Sequence, residues 1–281
     1  MDVAAVLAAL AAAGAEATRK TYRRHGAPEP LFGVPFGALR DLAKRLGTDH
    51  ALAQALWDSG NTDARALAAL IADPRALDAD LADRWAGGLR YHVVVDLVAA
   101  VVARSPLALE RMAQWIGSDD EFVARCGWSV MAHLASHDRA IADAAFTPYL
   151  AVIERRLPTA PNRAREGMHG ALIAIGGRSD ELAEPAKAVA ARLGPVVIDH
   201  GDTACETPDA AAYIAKVRAR AASTKPTGAA KKPAAKKPAA KKPAAKKPTA
   251  KKPAAKKPTA KKPAAKKPRA KKRTAKKPAA R

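Results

Sequence analysis

The sequence predicts an all-α body, its helix pairs stacked as an α-solenoid, followed by a disordered basic tail. Three observations predict it. Apolar residues recur at helical spacing through most of residues 1–222, and no stretch alternates convincingly at period two. Glycine, proline and capping residues interrupt that periodicity often, leaving loops of roughly 2–6 residues that make consecutive helices antiparallel neighbours. Charge then divides the chain. Of 49 Lys and Arg residues among 281, 24 lie from Thr224 onward, where no acidic residue occurs. The remaining 25 face 27 Asp and Glu, so a nearly neutral body of net charge −2 carries a tail that supplies the overall +22.

Each element follows from its punctuation. Gly26-Ala27-Pro28 ends a first helix over 2–25. The helix over 36–46 stops at Gly47, and 49–58 makes the next. Asn61 or Thr62 caps 63–72, which Asp73-Pro74 ends. Residues 78–86 stop at Gly87-Gly88, and the strongly apolar 91–103 ends before Ser105-Pro106. Then come 107–116, 121–135 and 138–157, the last kinked or split by Pro148. The final group is 163–175, 181–193 and 208–221, with Thr207 as cap ahead of Pro208. Taken two at a time, these helices repeat every ~25–40 residues without strong identity between units, as in a HEAT-like solenoid. A compact irregular bundle is the alternative arrangement.

Several classes drop out. Cys126 and Cys205 make neither a disulfide framework nor a zinc set, and the chain reads as intracellular. The apolar run over 3–13 lacks the basic segment of a signal peptide and is too short to span a bilayer. Asp199, His200, Asp202 and Cys205 fall within one loop, but their spacing matches no metal signature, so no metal or cofactor is expected. Trp57, Trp85, Trp115 and Cys126 read as core.

The tail, taken as residues 223–281, repeats Lys-Lys-Pro-Ala-Ala or Lys-Lys-Pro-Thr-Ala every five residues from Lys231. Without large apolar side chains it cannot offset the entropy of ordering, and its prolines oppose a helix. Pairs such as Lys231-Lys232 and Lys236-Lys237 can neutralise phosphates, but nothing in the repeat reads a base edge. It is similar in composition to the tails of linker histones and some bacterial nucleoid proteins. Nucleic acid is the expected partner, and a spacer or solubilising role is the plainer reading.

Within the body an ordered motif series occurs. Phe32-Gly33-Val34 precedes Leu39-Arg40-Asp41-Leu42-Ala43-Lys44, then Leu56-Trp57-Asp58-Ser59 and Asp63-Ala64-Arg65-Ala66-Leu67-Ala68. Val93-Val94-Val95-Asp96 follows, then Trp115-Ile116-Gly117-Ser118-Asp119-Asp120 and Val123-Ala124-Arg125. Over roughly residues 30–195 this resembles the AlkD-like DNA alkylation repair glycosylases, which are HEAT-like solenoids. The resemblance implies hydrolysis of the N-glycosidic bond of N3- or N7-alkylated purines in double-stranded DNA, without a cofactor. It also implies a catalytic Asp96 and a functional Arg125. The implied setting is a bacterial cytoplasm, at the nucleoid, with a monomer favoured and no membrane partner.

The departures matter. His92 stands where the family presents a tryptophan, and Gly170 stands where a second is expected. Trp128, one turn beyond Arg125, either substitutes or points into the core. Asp96 lies in a very apolar segment, so it is functional or a structural ion pair, because an isolated buried carboxylate is costly. Arg125 is a phosphate clamp or that partner. Tyr91 and His92 are groove residues or ordinary helix-start residues. Arg155, Arg156, Arg163 and Arg165 form a basic cluster that either contacts phosphates or makes a solvated face. The alternative to catalysis is a silent HEAT-like DNA-binding or nucleoid-associated protein.

Overall fold

Stop signals and side-chain caps set the helices of the body. In a computed structural model, which describes residues 1–224, they are α1 Val3–Ala13, α2 Glu16–Arg24, α3 Phe36–Leu46, α4 His50–Asp58, α5 Thr62–Ile71, α6 Ala79–Gly87 and α7 His92–Val102. After these come α8 Ala108–Trp115, α9 Glu121–His137, α10 Thr147–Arg156, α11 Asn162–Arg178, α12 Asp180–Leu193 and α13 Ala210–Thr224. No strand occurs among the described residues. The tail, with Lys231, Lys232, Lys236 and Lys237 and its expected disorder, lies outside them. Caps do the local work. Asp49, Asn61, Asp78 and Asp120 accept from the free N–H groups of Leu52, Ala64, Leu81 and Phe122. The last helix is capped by Asp209, whose carboxylate accepts from Ala212 N at 2.7 Å, and not by Thr207, which bonds His200 instead.

Two segments differ from their sequence pattern. The expected helix over 2–25 is broken at Gly14, where a side chain would meet the Phe32 carbonyl at 2.5 Å. Ala15 N there donates to Gly33 O at 3.0 Å, so a distant backbone segment replaces the helical bonds. The helix expected over 138–157 starts only at Thr147, with Pro148 in its first turn, where the missing N–H costs nothing.

The helices stack in two rows. α3, α5, α7, α9, α11 and α13 pack one on the next, and α4, α6, α8, α10 and α12 back them. This is the HEAT-like arrangement expected of paired helices. Trp57, Trp85 and Trp115 are core residues, with Trp57 and Trp85 stacked at 4.6 Å. Asp63 accounts for the spacing of two motif segments. Its buried carboxylate accepts from Phe32 N, Gly33 N and Val34 N at 2.7, 3.0 and 2.9 Å. Gly33 makes this possible, with φ 77° and no room for a Cβ beside Arg19. Within the row α9 and α11 approach closely. At Gly167 a Cβ would stand 3.1 Å from Arg125 Cα and Trp128 Cβ.

Candidate active site

One face of α7 explains how a carboxylate sits in HVVVDLVAAVV. Val94, Val95, Val98, Ala99, Val101 and Val102 are buried, whereas His92, Asp96 and Ala100 share the opposite stripe at four-residue spacing. Asp96 is therefore half exposed, at 50% of its side chain, and escapes the cost of burial. It lines a cleft of about 380 Å³ with Arg125, Ser129 and His133 of α9 and Glu166 and Gly170 of α11. All of these come from three consecutive helices of one row.

The cleft is built on charge. Arg125 is 7% exposed, and its Nη2 donates to both oxygens of Asp96 at 3.2 and 3.1 Å. Ser129 Oγ donates to Asp96 Oδ1 at 3.1 Å. On the other side Arg125 Nη1 stands 2.6 Å from Glu166 Oε2 as an ion pair, out of line for a hydrogen bond, and its Nε is buried without a partner. Arg163 Nη1 donates to the same Glu166 oxygen at 2.8 Å. Burial would raise the Glu166 carboxyl, but Arg125 and Arg163 outweigh it and hold it below the usual carboxylate value. His92 moves the other way. Burial first, then the nearby Arg125 charge, pulls its imidazole down to about 4, and it is neutral at pH 7. His133 is also lowered, by burial and then by His137, so both imidazoles are uncharged near Asp96.

The structure brings Asp96, Arg125, His92 and Arg163 together and corrects other expectations. Trp128 is fully buried and meets Tyr149 edge-on at 6.5 Å. It lies on the core side of α9 and supplies no wall to the cleft. Tyr91 is also buried, against Tyr22, and has no surface for a DNA strand. Burial pushes its phenol far upward. Arg155, Arg156, Arg163 and Arg165 do not act as one cluster. Arg156 donates to Ile116 O at 3.0 Å, Arg165 to Val197 O and Ala160 O at 3.0 and 2.9 Å, and Arg163 to Glu166. Arg155 remains exposed. Glu166 was not singled out by the sequence. Its signal is the Arg163-Ala164-Arg165-Glu166 run, which places a carboxylate one turn after an arginine. Gly170 faces open space, and a Cβ on it would have no neighbour within 4 Å. The 199–205 loop is held by backbone bonds to Asn162 and by Asp199 itself. Among the described residues no three His, Cys, Asp or Glu side chains gather as a metal set.

Comparison with known proteins agrees with this architecture. Residues 6–202 match the family described as DNA alkylation repair enzyme, and the chain belongs to that AlkD-like family. It is 31% identical over 209 residues to the uncharacterized protein Lmo0209 of Listeria monocytogenes, covering 72% of this chain and 91% of that protein. It is 30% identical over 210 residues to the uncharacterized protein Lin0241 of Listeria innocua, with the same coverage. A solved structure with TM-score 0.72 and 31% identity covers 79% of this chain and 95% of its own. It is described as a new family of proteins related to the HEAT-like repeat DNA glycosylases with affinity for branched DNA structures. No helix among the described residues is long and apolar enough to cross a membrane.

Proposed function

We propose that the chain binds duplex DNA across the α7–α9–α11 face and hydrolyses the N-glycosidic bond of N3- or N7-alkylated purines. One observation carries this reading: a half-exposed Asp96 carboxylate fixed by Arg125 and Ser129 in a cleft. An alkylated purine already bears positive charge. It leaves with the C1′–N bonding electrons as a neutral base and needs no acid, which suits a site whose His92 is uncharged. The sugar becomes an oxocarbenium, and Asp96 stabilises it as carboxylates do in glycoside hydrolysis. Water then attacks C1′ and its proton passes to Asp96 or to solvent. Arg125 holds the carboxylate in place. The basic tail adds sequence-independent affinity through phosphates, which keeps the protein at the nucleoid.

The test is release of N7-methylguanine from a methylated duplex. Wild type releases it, and Asp96→Asn lowers the single-turnover rate by roughly 10²-fold or more. No release by wild type, or equal release by the variant, defeats the assignment. A second reading is a non-catalytic protein that binds DNA by its shape. It is favoured by the lack of any Trp, Tyr or Phe ring in the cleft lining, which removes a cation–π wall for the lesion. The related structure's affinity for branched DNA points the same way. That reading predicts tighter binding to a four-way junction than to a duplex, and no base release.

A further inference from the structure

Arg125 meets Asp96 in an unusual way. A guanidinium that pairs with one carboxylate normally does so fork to fork, two nitrogens on two oxygens at about 2.7–2.9 Å. Here a single nitrogen, Nη2, serves both Asp96 oxygens, at 3.2 and 3.1 Å. The other terminal nitrogen, Nη1, is turned to Glu166 Oε2 at 2.6 Å. The shorter contact thus goes to the carboxylate that is 22% exposed, and the longer ones to the carboxylate that is 50% exposed. Arg125 itself is buried, so the two carboxylates compete for one charge that solvent barely screens.

Glu166 is built into its position. Gly167, next to it, lets α11 approach α9 beside Arg125, because any Cβ there would crowd the Arg125 backbone. Arg163, one turn earlier on α11, donates to the same Glu166 oxygen at 2.8 Å, and its own backbone N–H is held by Glu121 at 2.8 Å. His92, whose ring centre lies 6.0 Å from that of His25, is neutral at pH 7 and adds no third cation. Two carboxylates therefore share two guanidiniums, and Arg125 is the one that reaches both. Asp96 Oδ1 takes a second bond from Ser129, whereas Oδ2 accepts only from Arg125 among the described residues.

We propose that Glu166 is a positioning residue for the reaction: it draws Arg125 off Asp96, so that the Asp96 carboxylate keeps its charge for the sugar cation. The consequence for rate rests on the glycosylase reading above. A carboxylate closed fork to fork on an arginine is well oriented but largely neutralised, and a neutralised carboxylate stabilises an oxocarbenium poorly. Shared with Glu166, Arg125 orients Asp96 through one nitrogen and leaves it half exposed in the cleft. Glu166 acts through the guanidinium and makes no contact with the substrate.

The experiment has a structural and a kinetic arm. Glu166→Gln removes the charge and keeps the shape, and Glu166→Ala also removes the oxygen that could retain Nη1. Crystal structures of the two variants are expected to show Arg125 swung onto Asp96 with two nitrogens on two oxygens. A guanidinium unmoved in both overturns the inference. In single turnover, Glu166→Gln is expected to slow release of N7-methylguanine roughly 10-fold, as for an outer partner of a reacting group. Its duplex Kd stays the same or tightens, since one negative charge near the phosphates is gone. An unchanged rate with a moved Arg125 also overturns the inference. In an Asp96→Asn background Glu166→Gln is expected to do nothing more, because no charge is left for Arg125 to neutralise. Losses that multiply in the double variant mean a merely structural role and overturn it as well. If wild type releases no base, the glycosylase reading fails by itself, and the movement of Arg125 still decides whether Glu166 positions it.

Discussion

Two buried arginines on neighbouring helices, Arg125 of α9 and Arg178 of α11, have different fates. Arg178 Nε donates to Asp143 at 2.6 Å, and its Nη1 donates to the carbonyls of Ala135 and Asp138 at 3.0 and 2.7 Å. Nη2 donates to Ile141 O, and the guanidinium lies 4.7 Å from the Phe146 ring centre. It closes the C-terminal end of α9, whose last carbonyls have no helical partner. Arg125 is buried as deeply, yet it spans two carboxylates, leaves Nε unbonded and faces an open cleft. A satisfied guanidinium fastens the row of helices. An under-satisfied one holds the Glu166 carboxyl below its usual value beside an open cleft.

The strongest way to break this comparison is to remove each arginine. Arg178→Ala leaves several carbonyls and Asp143 unpaired and is expected to cost about 3–5 kcal/mol in urea unfolding. Arg125→Ala is expected to cost less than half as much, because water reaches Asp96, while base release falls about as far as in Asp96→Asn. Equal stability losses would erase the distinction between the two sites.

Acid sharpens the contrast next. In the unfolded chain His92 takes up a proton near 6.5, but in the fold only near 4, because burial and then Arg125 oppose the charge. The unfolded state therefore binds more protons between those values, so stability is complete above pH 6.5 and falls as pH drops towards 4. The loss attributable to His92, faced by His25, Arg125, Arg163, Glu166 and Asp96, is at most about 3 kcal/mol. His133 and His169 are lowered too, so the comparison that isolates His92 is the difference in urea midpoint between pH 7 and pH 5 for wild type and His92→Gln. The variant is expected to lose less.

The smallest effect is a gain. Gly170 lines the cleft with open space before it and His92 lies one turn before Asp96 on α7, so His92→Trp with Gly170→Trp offers aromatic faces to a cationic base. Each is worth about 0.5–2 kcal/mol, which corresponds to a several-fold rise in release of N7-methylguanine relative to a neutral lesion. No change in that ratio would mean that the lesion does not meet this wall.

Much of the helix plan was legible because its signals are local. Gly47 ends α3 with φ 69°, and Asn61, Asp78 and Asp120 satisfy N–H groups two or three residues away. The break at Gly14 was not legible, because it depends on the Phe32 and Gly33 carbonyls of a segment far along the chain. Asp96 was legible as the one charge in an apolar helix. Glu166 was not, because its importance lies in Arg125, which is 41 positions earlier in the sequence and reaches it only when α9 and α11 touch at Gly167.

The sequence by itself determined the all-helical body, the division of charge between body and tail, and Asp96 and Arg125 as residues to examine together. Tertiary structure decided orientation. It turned Trp128 and Tyr91 inward, drew Arg156 and Arg165 onto carbonyls, and set Asp96, Glu166 and His92 around one guanidinium. The physical reason is range. Periodicity and caps act within one or two turns of a helix, whereas the side of a helix that faces solvent depends on which other helices cover it.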